Sequence, residues 1–489
     1  GEKTSPRTDS AEAAATAAAR PDRPGRPTDG GRRTIARGDW PQFLGPHGTG
    51  VSDETGLAES WPAEGPPVVW TKDVGAGYSA PSVLDDRLVV HHRVGDEEVV
   101  ECLDAVTGEA VWRHGYSTDF TDPYGYNGGP RCTPLLTADR CYTFGAAGTV
   151  CCLELATGDE VWRRETAKDF DVPEAFFGVG CSPVLYGDLL IVLVGGQPDA
   201  GVVAFAAATG TTVWQSVGKS TWDGETTSDG DVYRWTGEET LVSYASPLPV
   251  TFDGKDHLLC LMRQGLVSLD PWTGNERFHY WFRSKAHESV NAARPVVIGD
   301  RILLTAAYRT GAALLQVKDD GCEELWRDRS NLECHWSTPI VVGDHAYGFS
   351  GRHENEGTLR CVALKSGEVV WTADGSEPVA DKVEPDRFGR GYVRKDDASP
   401  AAWPYFGRGS MIVADGKWII LGERGTLFLA DVTPDGYRER SRWAVPEIEF
   451  PAWAAPVLSR GRLYLRDEDT LVCLDVSTPT AAVPTDDAP

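Results

Sequence analysis

The sequence predicts an all-β fold, an eight-bladed β-propeller whose blades each contain four antiparallel strands. Three observations predict it. One pattern of four short apolar strands recurs eight times along the 489 residues. Turns between short strands are frequent, as the 53 Gly and 32 Pro indicate. The two ends of the chain carry complementary parts of one copy, which is what a closed ring requires.

Each copy begins with small residues and a proline, as in SAPSVLDDRLVVHH at 79–92, where two apolar strands flank a turn. A third strand then leads into a Thr-Gly turn, and a fourth strand ends on an aromatic residue, as in VVECLDAVTGEAVW at 99–112. The eight opening positions are Pro81, Pro134, Pro183, Pro247, Pro295, Pro339, Met411 and Pro456.

Only seven closing strands follow the eight openings, and they end at Trp112, Trp162, Trp214, Phe278, Trp326, Trp371 and Trp443. The last copy stops at TLVCLDV, residues 470–476, without a closing strand. The missing strand stands at the other end of the chain, as PPVVW at 66–70, with no opener before it. We therefore expect the strand at about 66–70 to complete the last blade and close the ring, which removes both free sheet edges. A linear β-solenoid, the alternative, does not explain complementary gaps at both ends.

Composition predicts the limits of the domain and excludes some partners. Residues 1–38, rich in Ala, Pro, Arg and Thr, are expected to be a flexible leader, 39–476 the propeller, and 477–489 a disordered tail. The formal charge of −26 argues against a nucleic-acid partner and favours a monomer, because copies of the chain repel one another. No apolar run reaches the length of a membrane-spanning segment.

The segment DWPQFLGPHGTG at 39–50, together with the ATGDEVW-type turns, resembles the PQQ (pyrroloquinoline quinone)-like propeller proteins that are abundant in planctomycetes. More distantly, the repeat is similar to the propeller lipoprotein of the outer-membrane barrel-assembly machinery and to the quinoprotein dehydrogenases. The resemblance covers about residues 39–476 and implies the propeller fold. It also implies an exported protein, periplasmic or extracellular.

The first strand of each propeller blade lines the central channel, so the residues before each opening proline ring one mouth of that channel. The bulky members of this ring are Tyr78, Arg131, Tyr244, Trp336, Arg408 and Trp453. Such residues can stack on a planar ligand and hold its carboxylates, so we predict a ligand site here; the alternative is that they plug the mouth. The two longest insertions, residues 218–243 and 372–405, belong to the same face.

Three functions are compatible with these patterns. The first, which we favour, is a non-catalytic scaffold that binds a protein, a glycan or a small molecule at the loop face. The second is a PQQ- and Ca²⁺-dependent alcohol or sugar dehydrogenase, and the third is an envelope assembly factor. A quinoprotein needs carboxylates for Ca²⁺ and an Asp base, and no acid falls in the ring; the nearest expected acids are Glu288 and Glu333.

The sequence does not contain a complete set of metal ligands or of catalytic residues. The loop pairs His287–Glu288 and Glu333–His335 contain ligand types that bind metals, but loop histidines are usually solvated. The sequence therefore predicts no catalytic residue, no metal site and no assigned cofactor.

Cys151 and Cys152 stand side by side in TVCCLELATGDEVW at 149–162, which raises the question of a redox pair. Aligned on the Thr-Gly turn, Cys152 occupies the position of Cys102, Cys361 and Cys473 in other copies. Neighbouring strand residues point to opposite faces of a sheet, and a bridge between them would break the strand. We predict that the pair is buried packing and not a redox device.

Overall fold

The computed structural model describes residues 38–173, 176–222, 225–228, 231–234, 242–284, 286, 289–319, 321–377 and 379–478. Within these residues, eight sheets each contain four antiparallel blade strands, consecutive along the chain in seven of them, which confirms the all-β, eight-bladed propeller. The predicted leader, apart from Gly38, and the tail from residue 479 lie outside the described residues. Ser477 forms a bridge with Leu57, and the amide of Thr478 donates to the carbonyl of Gly56.

The first four blades are given with their strands in chain order. Blade 1 contains Ser82–Leu84, Arg87–Val94, Glu97–Asp104 and Ala110–Ser117, and blade 2 contains Leu135–Leu136, Arg140–Phe144, Thr149–Glu154 and Glu160–Glu165. Blade 3 contains Val184–Tyr186, Leu189–Gly196, Ala200–Ala206 and Thr212–Ser216, and blade 4 contains Leu248–Phe252, Lys255–Leu261, Gly265–Leu269 and Glu276–Trp281.

Blade 5 contains Val296–Ile298, Arg301–Ala306, Gly311–Lys318 and Gly321–Asp328, and blade 6 contains Ile340–Val342, His345–Ser350, Thr358–Ala363 and Val369–Ala373. Blade 7 contains Ser410–Ala414, Lys417–Leu421, Thr426–Thr433 and Gly436–Ala444. Blade 8 contains Val457–Ser459, Arg462–Arg466, Thr470–Asp475 and the N-terminal Val68–Asp73.

Smaller elements lie between blades. The described part of the chain contains the short helices Thr166–Asp169, Lys219–Trp222 and Glu354–Glu356, the hairpin Glu225–Ser228 with Asp231–Arg234, and the small sheet Val383–Pro385, Tyr392–Arg394 and Pro400–Ala401.

The N-terminal strand closes the ring, as the sequence predicts. Val68–Asp73 pairs antiparallel with the third strand of blade 8, with Trp70 opposite Cys473 and Thr71 opposite Val472. The strand therefore begins two residues later than PPVVW and extends three residues further. A linear solenoid has no such pairing between its two ends.

The N-terminal motif at 39–52 lies across the face opposite the inter-blade loops. Trp40 forms a bridge with Val83 of blade 1, and Val51–Ser52 pairs in parallel with the first strand of blade 7. Between them, the carbonyl of Gly48 accepts a hydrogen bond from Arg294, which precedes blade 5. Because these blades lie on different sides of the axis, the motif covers the centre of the ring on this face.

Hydroxyl side chains join the first strands around the axis. Ser182 Oγ accepts a hydrogen bond from the amide of Thr133 at 2.9 Å, and Ser246 Oγ accepts one from the amide of Ser182 at 2.9 Å. Thr338 Oγ1 accepts one from the amide of Arg294 at 3.0 Å. Each of these residues immediately precedes an opening position, so backbone donors that no ladder satisfies are paired across the blades.

Closing tryptophans dock blades 1, 2, 3 and 5 onto the blade that follows. The indole Nε1 donates to a turn carbonyl of the following blade, from Trp112 to Leu155 at 2.8 Å and from Trp162 to Ala207 at 2.9 Å. The ring lies against the glycine of the Thr-Gly turn; a Cβ at Gly158 would lie 2.5 Å from the Trp112 ring. The same glycine has φ of 78°, a conformation that favours glycine.

We expect Gly158→Ala to destabilise the protein more than Gly254→Ala does. Gly254 also has a positive φ, of 75°, but a Cβ there would meet nothing within 4 Å, so Gly254→Ala measures the backbone strain alone. The clash with Trp112 adds about 1–3 kcal/mol at Gly158. Denaturant unfolding followed by tryptophan fluorescence measures both; equal midpoints for the two variants would contradict the docking role.

Candidate functional site

The six residues predicted at the channel mouth lie at the loop face, and each is partly buried. The Trp336 and Trp453 ring centroids are 5.3 Å apart, and the Tyr78 ring is 4.9 Å from Trp453. The Arg408 guanidinium lies 4.7 Å from the centre of the Trp336 ring, and that of Arg131 lies 5.6 Å from Tyr78. Five of the six predicted residues therefore form one contiguous cluster.

Tyr244 joins this cluster through two aromatic residues that the sequence analysis did not single out. Its ring lies 5.8 Å from Phe177, which lies 6.0 Å from Tyr126, which lies 5.5 Å from Trp453. The Tyr244 hydroxyl accepts a hydrogen bond from the amide of Phe177 at 2.9 Å. We call the six predicted residues with Tyr126 and Phe177 the collar.

Glu423 neutralises one arginine of the collar. Its carboxylate accepts from Arg408 Nε at 3.0 and 3.2 Å and from the Arg408 amide at 2.9 Å, and it also pairs with Arg408 Nη2. The indole of Trp453 donates to the same carboxylate at 2.7 Å. Glu423 is fully buried, so its charge and that of Arg408 stabilise each other inside the loop face.

Two more acids hold the opposite side of the collar. Arg131 forms an ion pair with Asp122 at 2.7 Å, and Tyr78 donates its hydroxyl proton to Glu468 at 2.6 Å. Asn127 donates to the same Glu468 oxygen at 2.7 Å. Burial, together with Glu468, raises the pKa of Tyr78 well above its usual range, so this hydroxyl remains a donor at physiological pH.

The expectation that Glu333 is among the nearest acids is wrong, because three acids that the sequence analysis did not name contact the collar directly; Glu288 lies outside the described residues. Glu423 and Glu468 come from the turns between the second and third strands of blades 7 and 8, and Asp122 comes from the loop before blade 2. These turns reach the same face as the inter-blade loops. The signal that sequence reasoning missed is the acidic residue in each turn, GERG at 422–425 and DED at 467–469.

The collar as it stands does not fit PQQ with Ca²⁺. Each Glu423 oxygen accepts from Arg408, and one of them also accepts from Trp453. Asp122 accepts from the amide of Tyr124 and from Arg131, so its oxygens are engaged as well. A quinone with a calcium ion needs carboxylate oxygens directed at the ion and a slot for the ring. Here the oxygens of Glu423 and Asp122 accept from Arg408, Arg131, Trp453 and a backbone amide, and the aromatic rings contact one another.

His335 lies beside the collar as a neutral base. Tyr308 Oη lies 3.0 Å from its Nε2, and its ring is 5.1 Å from that of Trp336. Burial, and then the charges of Arg408 and Arg352, lower its pKa from 6.5 to about 3. The carboxylate of Glu333 accepts from the amide of Arg309 at 2.6 Å. His287 and Glu288, the other loop pair considered for a metal, lie outside the described residues.

The second long insertion extends the loop face. It contains the small sheet 383–401, and its Trp403 ring lies 4.2 Å below the guanidinium of Arg424. Arg424 also lies 4.7 Å from Phe450, which contacts Trp453 of the collar at 6.4 Å. At the other end of the insertion Phe388 is 66% exposed. The insertion and the collar are therefore linked by a continuous row of aromatic and arginine side chains. Of the other insertion, 218–243, the structure describes the helix Lys219–Trp222 and the hairpin already given.

The cysteine pair is buried packing, as predicted. Cys151 belongs to the core between blades 1 and 2, and Cys152 belongs to the core that extends to blade 3. Both are fully buried free thiols, and burial raises the pKa of Cys152 to about 12. A thiol that stays protonated is a poor redox nucleophile.

Comparison with known proteins decides the family. The family model described as "Outer membrane protein assembly factor BamB", a PQQ-type repeat model, matches residues 95–373, more than half of the chain. The chain belongs to this family. A comparison with curated protein sequences finds no match.

Solved structures share the fold of this PQQ-like propeller. The quinohemoprotein alcohol dehydrogenase of Comamonas testosteroni has a TM-score of 0.60 at 13% identity, covering 93% of this chain and 83% of that one. A europium-containing methanol dehydrogenase has a TM-score of 0.59 at 11% identity, covering 88% and 89%. BamB of Moraxella catarrhalis has a TM-score of 0.51 at 14% identity, covering 85% and 99%. At such identities the likeness shows the fold alone. In the described part of this chain, no helix has the length and apolarity that a bilayer crossing requires.

We expect acidification to destabilise the propeller partly through His335. The pKa of His335 is about 3 in the folded protein and 6.5 ordinarily, so between these pH values the unfolded state binds a proton on this imidazole and the folded state does not. This contribution to stability is lost as the pH falls below 6.5, by about 2 kcal/mol at pH 5. His335→Gln removes this part of the dependence, and thermal unfolding between pH 7 and 5 measures it. The exposed His47→Gln is the control, and a His335→Gln profile parallel to wild type would contradict the assignment.

Proposed function

We propose that this chain is a non-catalytic binding propeller of the cell envelope that recognises a polypeptide through its loop face. The surface consists of the collar and the insertion 372–405. The family description, an outer-membrane protein assembly factor, supports a protein partner and an exported location. In this proposal the blades form a rigid scaffold, and the loops form the binding surface.

The observation that carries this proposal is the aromatic surface whose charges are already neutralised. Arg408 and Arg131 have carboxylate partners within the loop face, so partner binding does not require new counter-charges for them. The aromatic side chains around them remain accessible: Tyr124 is 42% exposed, Tyr126 43% and Phe450 46%. Tyrosine and phenylalanine rings on a rigid frame are typical of protein interfaces, because they bury large areas with little loss of rotamer freedom.

Phe388 is the strongest candidate for an interface hot spot. It is 66% exposed at the tip of the insertion, and the guanidinium groups of Arg387 and Arg390 lie 4.3 and 6.0 Å from its ring centre. An apolar ring flanked by cations fits an apolar or aromatic side chain next to an acidic group on the partner.

The state of the acids favours binding over catalysis at this site. A general base needs an oxygen that is free to accept the substrate proton. Both oxygens of Glu423 accept from Arg408, and those of Asp122 accept from Arg131 and the Tyr124 amide, while Glu468 Oε1 accepts from Tyr78. This supports the scaffold reading over the quinoprotein alternative for the collar.

We expect peptides selected on the full chain from a random display library to bind the loop face. Phe388→Ala and Tyr126→Ala are each expected to weaken binding about tenfold, because each removes a large accessible ring. Val342→Ala is the matched control, since Val342 is 47% exposed at the turn end of the first strand of blade 6, on the opposite face. Fluorescence anisotropy of labelled peptides measures the dissociation constants.

Three results would overturn this proposal. Peptides that bind wild type, Phe388→Ala and Tyr126→Ala equally would exclude the loop face as their site. A library that yields no binder, while a glycan array yields one sensitive to Tyr126→Ala, would replace the polypeptide with a glycan. Binding of a small molecule alone, lost in the same variant, would replace it with a small-molecule ligand.

The quinoprotein alternative makes a separate prediction. We expect titration of the protein with PQQ and Ca²⁺ to show no saturable quinone absorbance, because Glu423 and Asp122 are engaged by arginines. Saturable binding, accompanied by alcohol-dependent reduction of a dye and lost in Glu423→Gln, would establish the dehydrogenase instead. Glu439→Gln, at another arginine-paired acid away from the collar, is the control.

A further inference from the structure

Three side chains of different chemistry meet at the seam between blades 1 and 2, on the outer part of the ring. His114 lies on the closing strand of blade 1, and Cys151 and Glu160 lie on the third and fourth strands of blade 2. One imidazole nitrogen, the thiol sulfur and one carboxylate oxygen all lie within 4.8 Å of one another.

The fold places these three residues by three separate devices. Trp112 docks on blade 2 through Leu155, and strand alternation then points His114, two residues later, at the same seam. Cys151 faces blade 1, because it belongs to the core that contains Trp112. A register shift between Glu160 and Trp162 turns Glu160 to the face of Cys151, opposite to that of Trp162.

The imidazole is the part of this cluster that the protein alone leaves unsatisfied. His114 Nε2 is buried and makes no hydrogen bond within the described residues, although it lies 3.3 Å from a Glu160 oxygen. Arg163 Nε lies 3.7 Å from the same oxygen, so the carboxylate has a cationic neighbour whereas the imidazole nitrogen has no hydrogen-bond partner among these residues. Buried polar atoms without a partner are uncommon and call for an explanation. A cation bound between the three groups satisfies the nitrogen and the carboxylate together.

The ligand types indicate which cation. Imidazole nitrogen, thiolate sulfur and carboxylate oxygen are the ligands of Zn²⁺, whereas Ca²⁺ and Mg²⁺ bind oxygen. Tetrahedral Zn²⁺ with its usual bond lengths separates ligand atoms by about 3.3–3.8 Å. The His114–Glu160 distance of 3.3 Å already lies in this range.

We propose that His114, Cys151 and Glu160 bind one Zn²⁺, with water as the fourth ligand. The side chains of His114 and Glu160 are 18% and 32% exposed, so the ion reaches the site, and the water faces solvent, at the rim of the seam. The sulfur releases its proton to solvent when it binds, and no electron is transferred. The ion links blade 1 to blade 2 beside the Trp112 contact. This site is distinct from the collar and does not depend on the proposed binding function.

The test uses Co²⁺ as a spectroscopic substitute for Zn²⁺ on the untagged full chain. We expect one equivalent of Co²⁺ to produce the visible bands of tetrahedral coordination and a thiolate-to-cobalt charge-transfer band in the near ultraviolet, both removed by Zn²⁺. Cys151→Ser abolishes the charge-transfer band. Cys152→Ser, at the neighbouring residue that faces blade 3, keeps it.

Glu160, the more exposed of the proposed ligands, provides a second test in case a variant of the buried Cys151 does not fold. Glu160→Gln is expected to leave the fold intact and weaken Zn²⁺ about tenfold or more, while Glu154→Gln, on the adjacent strand of the same blade, does not. The proposal is wrong if wild-type protein with Co²⁺ shows no charge-transfer band, whether or not visible bands appear. It is also wrong if Cys152→Ser loses the charge-transfer band to the same extent as Cys151→Ser.

Discussion

The closing tryptophan of one blade lies on the Thr-Gly turn of the next, and this contact recurs around the ring. Trp70 repeats it between the last blade and the first, with its Nε1 3.4 Å from the carbonyl of Ala105. The turn glycine must combine a positive φ with the absence of a Cβ, since the indole occupies that space, as at Gly108. Closure is therefore not a separate event; it repeats the contact that Trp112, Trp162, Trp214 and Trp326 make with the blades that follow them.

The two faces of the ring differ in what covers the channel. On one face the segment 39–52 covers the centre of the ring, and on the other the collar gathers aromatic rings and arginines over the mouth. A charge that loses contact with water inside a protein is costly unless it is paired or hydrogen-bonded. Glu423 provides this for Arg408, and the result is a pre-organised surface whose charges do not depend on a ligand.

The fold shared with quinohemoprotein and methanol dehydrogenases does not by itself establish a shared site. In this chain the mouth is built from loops and turns, whereas the blades are joined by strands and tryptophan contacts. At the seam between blades 1 and 2, the Trp112 contact holds the closing strand of blade 1, and that strand places His114 near Cys151.

Periodicity in the sequence determined the number of blades, the closing strand, the positions of the mouth residues and the packing role of Cys152, because a blade's hydrogen-bond register and its alternating faces follow directly from the chain. Tertiary structure alone decided which acids meet those residues. Glu423 and Glu468 belong to turns of blades 7 and 8, and Glu468 reaches Tyr78, 390 residues away in sequence. A repeat pattern describes one blade at a time, whereas the collar and the zinc ligands are contacts between blades.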